Sequence, residues 1–377
     1  MAASGELHES RRLGVLDGLR GLAVLLVLWY HVWEISWLAP PDWLEFLPAT
    51  GFVGVHLFFF LSGFVIAYPF VRAALAGARQ PTWTEFAWRR FAKIVPSYLL
   101  AIAVAYAIGY AAAQPYASPI PDLVTHLLFI HTWFPQRYGT IDGVLWTLAV
   151  EVEFYLIFPL LWWCFKRRPW LTAGGMIAIA WLWRAWMAKC CFTTLFAQYE
   201  ENLPGYLDIF AFGMLSAYVF TRFGAAWRDS RLRYAAPLVA IAGFVLFVAL
   251  LENLYAQRLL PQWSGVWQIT NRPWLGAAFA LIALGSLVSP RWWQVLLDNP
   301  PLRFLATISY NLYLYHQMLA RELLAWHIPP YAGDPHDDAA WQERYTVVVF
   351  AVTIAQATLV TYAFERPLLR ISKRVEP

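Results

Sequence analysis

The side chains best able to do chemistry in this chain are ionisable groups set inside apolar runs. The segment LDGLRGLAVLLVLWYHVW carries Asp17, Arg20 and His31. Arg20 and His31 are eleven residues apart, so at ~100° per residue a helix returns them to nearly the same face, ~16 Å apart along its axis. Asp17 shares that face, one turn before Arg20. Histidine is the side chain most easily poised as a general base near neutral pH, and an arginine on the same wall would hold an anion or developing negative charge. The competing reading has Arg20 snorkelling to headgroups and His31 at the opposite interface. Further on, GVLWTLAVEVEFYLIFPLLWW places Glu151 and Glu153 inside an apolar run, with Tyr155 one turn beyond Glu151. Carboxylates facing lipid are costly, so one of them would pair with Arg20 or orient His31, unless both sit hydrated at the boundary.

Three more segments carry polar groups with two readings each. FAWRRFAKIVPSY reads as a cytoplasmic loop that brings Arg89, Arg90 and Lys93 together. Such a cluster either contacts lipid headgroups or cradles a phosphate-rich ligand through guanidinium forks. ISYNLYLYHQ holds Tyr310, Asn311, Tyr313, Tyr315 and His316, which form either an interfacial belt or a second polar face toward a cavity. Glu365, beside Arg366 and before Pro367, reads as part of a helix terminator with a local ion pair.

Membrane-spanning helices must position these groups. Of 377 residues, 60% are hydrophobic and only 14% charged, with a mean hydropathy of +0.49; ordinary soluble domains carry about 25% charged residues. Apolar runs of spanning length predict ten helices, near 14–36, 51–71, 94–113, 143–165, 169–187, 206–221, 235–252, 273–289, 304–325 and 345–364. Residues 122–135 are too short and too His-rich to span and predict a re-entrant or surface-lying helix. Lys and Arg accumulate in short cytoplasmic loops, and the 28 cations sort accordingly. Twenty fall on the expected inner side, including Arg11, Arg12 and the tail from Arg366 to Arg374. The expected outer segments hold Arg137, Lys189, Arg258, Arg272 and Arg344, together with acids such as Asp142, Glu201 and Asp208. Arg20, Arg184 and Arg321 remain within helices. Both termini are therefore predicted to be cytoplasmic. The expected organisation is all-α: a tail over 1–12, one membrane domain over 13–371, a tail over 372–377, and no extra soluble domain.

The same composition excludes other classes. A net charge of +4 without a basic block argues against a nucleic-acid-binding or disordered chain. Continuous apolar runs are unlike the ten-residue alternation of an outer-membrane barrel. The three cysteines have no zinc spacing, and no metal site is expected. A transporter or flippase would also use buried ions at mid-membrane, but it predicts inverted repeats, and none is detected.

Six motifs in order make the chain resemble the acyltransferase family 3 membrane proteins. The family's Arg-ten residues-His signature is matched by Arg20 and His31, and its second-helix motif by GFVGVHLFFFLSGF, which includes His56 and Ser62. Its basic loop is matched by RRFAKIVP, its WSLxxExxFY by WTLAVEVEFY from Trp146 to Tyr155, its SYxxYLxH by SYNLYLYH, and its closing ErP by Glu365 to Pro367. Three positions depart from the pattern: His56 stands where an acid is usual, Lys93 where Arg is usual, and Thr147 where Ser is usual. The resemblance implies transfer of an acyl group, usually acetyl from cytoplasmic acetyl-coenzyme A, to a hydroxyl of a glycan, lipid-linked sugar or other small acceptor at a bacterial inner membrane. By motif position it implies His31 as base or acyl relay, Arg20 as its partner in the pore, Glu151 as the buried acid nearby, and Arg89, Arg90 and Lys93 as the site for coenzyme A phosphates. Acyl-coenzyme A, a hydroxyl-bearing acceptor and membrane lipids are the implied partners; the motifs name neither the acceptor nor an oligomeric state.

Overall fold

The computed structural model describes residues 13–111, 118–190, 201–258 and 263–375. The tail over 1–12, with Arg11 and Arg12, lies outside the described residues, as do 376–377. The described chain is all-α. Its long helices are α1 (Gly14–Ser36), α2 (Val53–Ala76), α3 (Trp83–Ala111), α5 (Trp146–Phe165), α6 (Pro169–Cys190), α7 (Leu203–Asp229), α8 (Ala236–Arg258), α9 (Trp263–Val288), α10 (Pro300–Ala325) and α11 (Ala339–Val360). Two short ones, α4 (Pro119–Leu127) and α12 (Arg366–Arg374), complete the set used below. Among the described residues, eight helical segments are long and apolar enough to cross a membrane. The chain is therefore a multi-pass membrane protein. Polarity sets the other two long helices apart, since α6 contains Arg184 and α10 contains Asn311, His316, Gln317 and Arg321.

Five helices begin earlier than hydropathy predicts. The expected starts at 94, 206, 273, 304 and 345 become Trp83, Leu203, Trp263, Pro300 and Ala339. Hydropathy marks where a helix becomes apolar, whereas backbone hydrogen bonding continues into polar flanks. As a result Arg89, Arg90 and Lys93 sit on the first turns of α3 and not in a loop. Asp208 and Arg272, expected in outer segments, lie inside α7 and α9 and are fully buried. The short helix expected over 122–135 appears as α4, followed by a turn at His131–Trp133. It packs through Tyr98, whose hydroxyl donates to the His126 carbonyl at 3.1 Å.

Close helix contacts set the geometry around α1. The motif glycines Gly51 and Gly54 face the carbonyls of Leu26 and Ala23, each of which would lie 2.4 Å from an added Cβ. Only glycine lets α2 approach the middle of α1 this closely. α10 runs parallel to α1: Gly18 packs on the Leu297 carbonyl near its start, and His31 meets His316 further along. α12 returns to the beginning of α3, where the Trp88 indole N–H donates to the Ser372 carbonyl at 3.1 Å. The first and last described helical turns therefore share one end of the bundle, called here the Arg20 end. The opposite, His31 end gathers the segments around Trp37 and His336, whose rings are 4.2 Å apart.

Candidate functional site

A cavity of about 270 Å³ opens between α1, α2, α3, α5 and α10. Its polar wall includes Arg20, Ser62, Arg90, Lys93, Glu151, Tyr155 and Tyr310, each from a segment that the sequence marks as chemically loaded. Val55, Phe58, Ile94 and Leu148 form much of its apolar wall. Three cations and one acid line the space, and two further acids, Glu365 on Lys93 and Asp17 beside Arg20, stand at its edge.

The partners of these groups differ in part from the sequence expectation. Glu151 Oε1 accepts from Ser62 Oγ at 2.6 Å and from the Tyr155 hydroxyl, and it is bonded to neither Arg20 nor His31. Glu153 lies ~200° further round α5 and accepts from the Trp133 indole at 2.5 Å. Arg20 is 3.7 Å from Asp17, as their spacing anticipates. The Arg90 guanidinium lies over the rings of Phe86 and Tyr155, at 5.9 and 5.7 Å, and its Nε is buried without a hydrogen-bond partner. Lys93 lies 5.1 Å from the centre of the Tyr310 ring and donates to Glu365. Arg89, grouped with them by sequence, is exposed and does not line the cavity.

Glu365 corrects the reading of the closing motif. The helix does not end at Pro367: α11 passes through a π-type turn, Thr361–Glu365, into α12. Widening the turn absorbs the proline and rotates Glu365 inward, where it meets Lys93 and accepts from Asn311 Nδ2 at 2.8 Å. Its partner is thus Lys93, 272 residues away, and not Arg366.

His31 stands outside this cavity, which ends toward it at Phe58, Thr147 and Tyr313. Its Nδ1 is 3.0 Å from the Val27 carbonyl and 2.9 Å from Nε2 of His316. His316 is 1% exposed, and its Nδ1 is 2.8 Å from the Tyr313 carbonyl. The Tyr313 ring, 5.6 Å from the His316 ring, forms the boundary between the His pair and the cavity. The structure therefore brings Arg20, Ser62, Arg90, Lys93, Glu151, Tyr155, Tyr310 and Glu365 to one chamber and its rim. His31 and His316 occupy a second level.

Two motif residues face elsewhere. Trp146 stacks on Tyr206 at 5.7 Å. His56 is 2% exposed, packs against the same Tyr206 at 5.4 Å, and makes no hydrogen bond through either ring nitrogen. Beyond it lies a buried polar cluster that sequence reasoning missed. Arg184 pairs with Asp208 at 2.7 Å, both fully buried, and also donates to the Gly205 carbonyl at 2.5 Å. Arg272 donates to Gln268 Oε1 at 2.9 Å and lies over Tyr206 at 4.3 Å. The available signal was Arg184 itself, a cation within an apolar helix. Two carboxyls at the His31 end, beyond the spanning segments, are held protonated to unusual pH. Burial pushes Asp142 up to about 6. Burial also pushes Glu201 up to about 8, against the opposing pull of Arg272. Among the described residues no group of three or more His, Cys, Asp or Glu side chains is arranged to hold a metal.

Comparison with known proteins agrees with these motifs. A family model described as an acyltransferase domain matches residues 13–365. Acyltransferase MdmB of Streptomyces mycarofaciens is 32% identical over 206 residues, covering 52% of this chain and 50% of that protein. Peptidoglycan O-acetyltransferase OatA of Listeria monocytogenes serovar 1/2a is 25% identical over 334 residues, covering 80% of this chain and 48% of that protein. Nodulation protein 10 of Rhizobium leguminosarum bv. viciae is 26% identical over 351 residues, covering 86% and 87%. The chain thus spans about half the length of the first two relatives. No solved structure matches it significantly.

Proposed function

The chain belongs to the acyltransferase 3 family, and on that premise we propose that it transfers an acyl group, acetyl in the first instance, from acyl-coenzyme A to a hydroxyl of a cell-envelope glycan or lipid-linked sugar. The O-acetyltransferase relatives support the O-acyl reaction. The donor and the acceptor belong to this proposal, as does the placing of the Arg20 end on the cytoplasmic side of a bacterial inner membrane. The observation that carries it is the cluster of Arg20, Arg90 and Lys93 lining the cavity, set one level below the His31–His316 pair.

Arg90 and Lys93 bind the donor's phosphates at the Arg20 end, where a guanidinium held over two adjoining rings is pre-organised for a phosphate fork. Arg20 completes the cationic wall. The thioester end passes Phe58 and Tyr313 to reach His31. His31 removes the proton of an acceptor hydroxyl entering from the other side, whose oxygen attacks the thioester carbonyl. The carbon–oxygen bond forms, the carbon–sulfur bond breaks, and the leaving thiolate takes up the proton. Release of free coenzyme A from acetyl-coenzyme A, measured for wild type against His31→Ala in purified protein, tests the reading. The variant is expected to lose transfer, and near-normal turnover would overturn it.

A further inference from the structure

We infer that His316 is a positioning residue that fixes the tautomer of His31 and so makes Nε2 of His31 the atom that takes the acceptor's proton. The inference rests on His31 acting as the base. A carbonyl oxygen can only accept a hydrogen bond. Nδ1 of His316, 2.8 Å from the Tyr313 carbonyl, therefore carries a proton, and Nε2 of the same neutral ring has a lone pair. That lone pair faces Nδ1 of His31 at 2.9 Å. Nδ1 of His31 also faces the Val27 carbonyl at 3.0 Å, so it too carries the proton and shares it between two acceptors. Both constraints agree on one arrangement. His31 is left with an unprotonated Nε2 that makes no hydrogen bond to the described residues.

The arrangement has the logic of a base oriented by a third group, with an imidazole in the place that a carboxylate takes in hydrolase triads. When His31 Nε2 takes the hydroxyl proton, the imidazolium that forms still donates through Nδ1 to His316, which stabilises it. The proton is then returned to the thiolate, and both rings recover their starting state. His316 touches neither reacting group, and burial together with the Tyr313 carbonyl holds its ring in place.

Nitrogen-15 NMR of protein labelled at histidine reads the tautomer directly, with the His31 signal assigned by its loss in His31→Ala. Wild type is expected to show His31 protonated at Nδ1. His316→Leu removes the acceptor and is expected to give mixed tautomers. Its kcat for coenzyme A release from acetyl-coenzyme A, with water or glycerol as acceptor, should fall about 10- to 100-fold while KM for acetyl-coenzyme A stays within about twofold. His316→Gln offers an amide oxygen to the same N–H, and should keep the tautomer and recover most of kcat. A wild-type His31 protonated at Nε2, or a His316→Leu variant with unchanged tautomer and kcat, would overturn the inference. An active His31→Ala variant would instead overturn the assignment of the base, whatever the tautomer.

Discussion

Arg90 and Arg89 are neighbours in sequence with very unequal expected effects on donor binding. Arg90 lines the cavity, its guanidinium held over Phe86 and Tyr155 and its buried Nε without a hydrogen-bond partner. A hydrogen bond to a charged group is worth about 1.5–3 kcal/mol. At about 1.4 kcal/mol per decade, Arg90→Gln should weaken coenzyme A binding about 10- to 150-fold. Arg89 is exposed and outside the cavity. An exposed ionic contact contributes about 0.2–1 kcal/mol, so Arg89→Gln should cost no more than about fivefold. Calorimetric titration of coenzyme A into protein in nanodiscs, at low and at moderate salt, measures both. The Arg90 variant should also show a shallower salt dependence, because a charge facing the phosphates has gone. Equal losses for the two variants, or wild-type affinity in Arg90→Gln at low salt, would refute the placement of the phosphate site.

Two further predictions concern the buried groups. Arg184→Leu leaves Asp208 charged and fully buried without its partner, a loss of about 3–5 kcal/mol; Arg184→Leu combined with Asp208→Leu should recover much of it, as read by unfolding midpoints. The second is a pH dependence. The Glu201 carboxyl is raised to about 8 in the folded protein, so between its ordinary value and that pH the folded state holds more protons than the unfolded state. Stability from this group therefore falls as pH rises through that window, with Asp142 adding a fall that is complete near its own value of about 6. The thermal midpoint should drop between about pH 4.5 and about pH 8 and level off above that, and Glu201→Gln should flatten the drop. An unchanged slope in the variant would count against it.

The long helices were legible because hydropathy reports the property that the bilayer selects. Their polar ends were not, since Asp208 and Arg272 lower local hydropathy while the helix continues through them. Contacts within one helix could be read from spacing, as with Asp17 and Arg20. Partners between helices could not. Glu151 meets Ser62, Lys93 meets Glu365 and His31 meets His316 only because of how each helix is rotated, and rotation is set by close contacts such as those of Gly51 and Gly54 against α1. The motif list gathered nearly all the chamber's residues; it also joined Arg89 to the group, since adjacency in sequence does not say which side of α3 faces inward.

The spacing of Arg20 and His31 takes on a different sense once their surroundings are known. One face of α1 carries both, ~16 Å apart, yet they serve different levels of the molecule. Arg20 faces a chamber with Arg90 and Lys93, where a multiply charged donor loses little by leaving water. His31 lies past Tyr313 and Phe58, whose rings are 5.9 Å apart, beside a second neutral imidazole and no carboxylate. In the proposed reaction a nucleotide stays on the side of that boundary lined by Arg20, Arg90 and Lys93, three cations against the single Arg321 that acts on His31 beyond it. A thioester is uncharged and pays no such penalty. On the proposed reaction the helix thereby sorts the donor by charge along its length, holding the phosphates at one level and presenting only the acyl end to the base at the next.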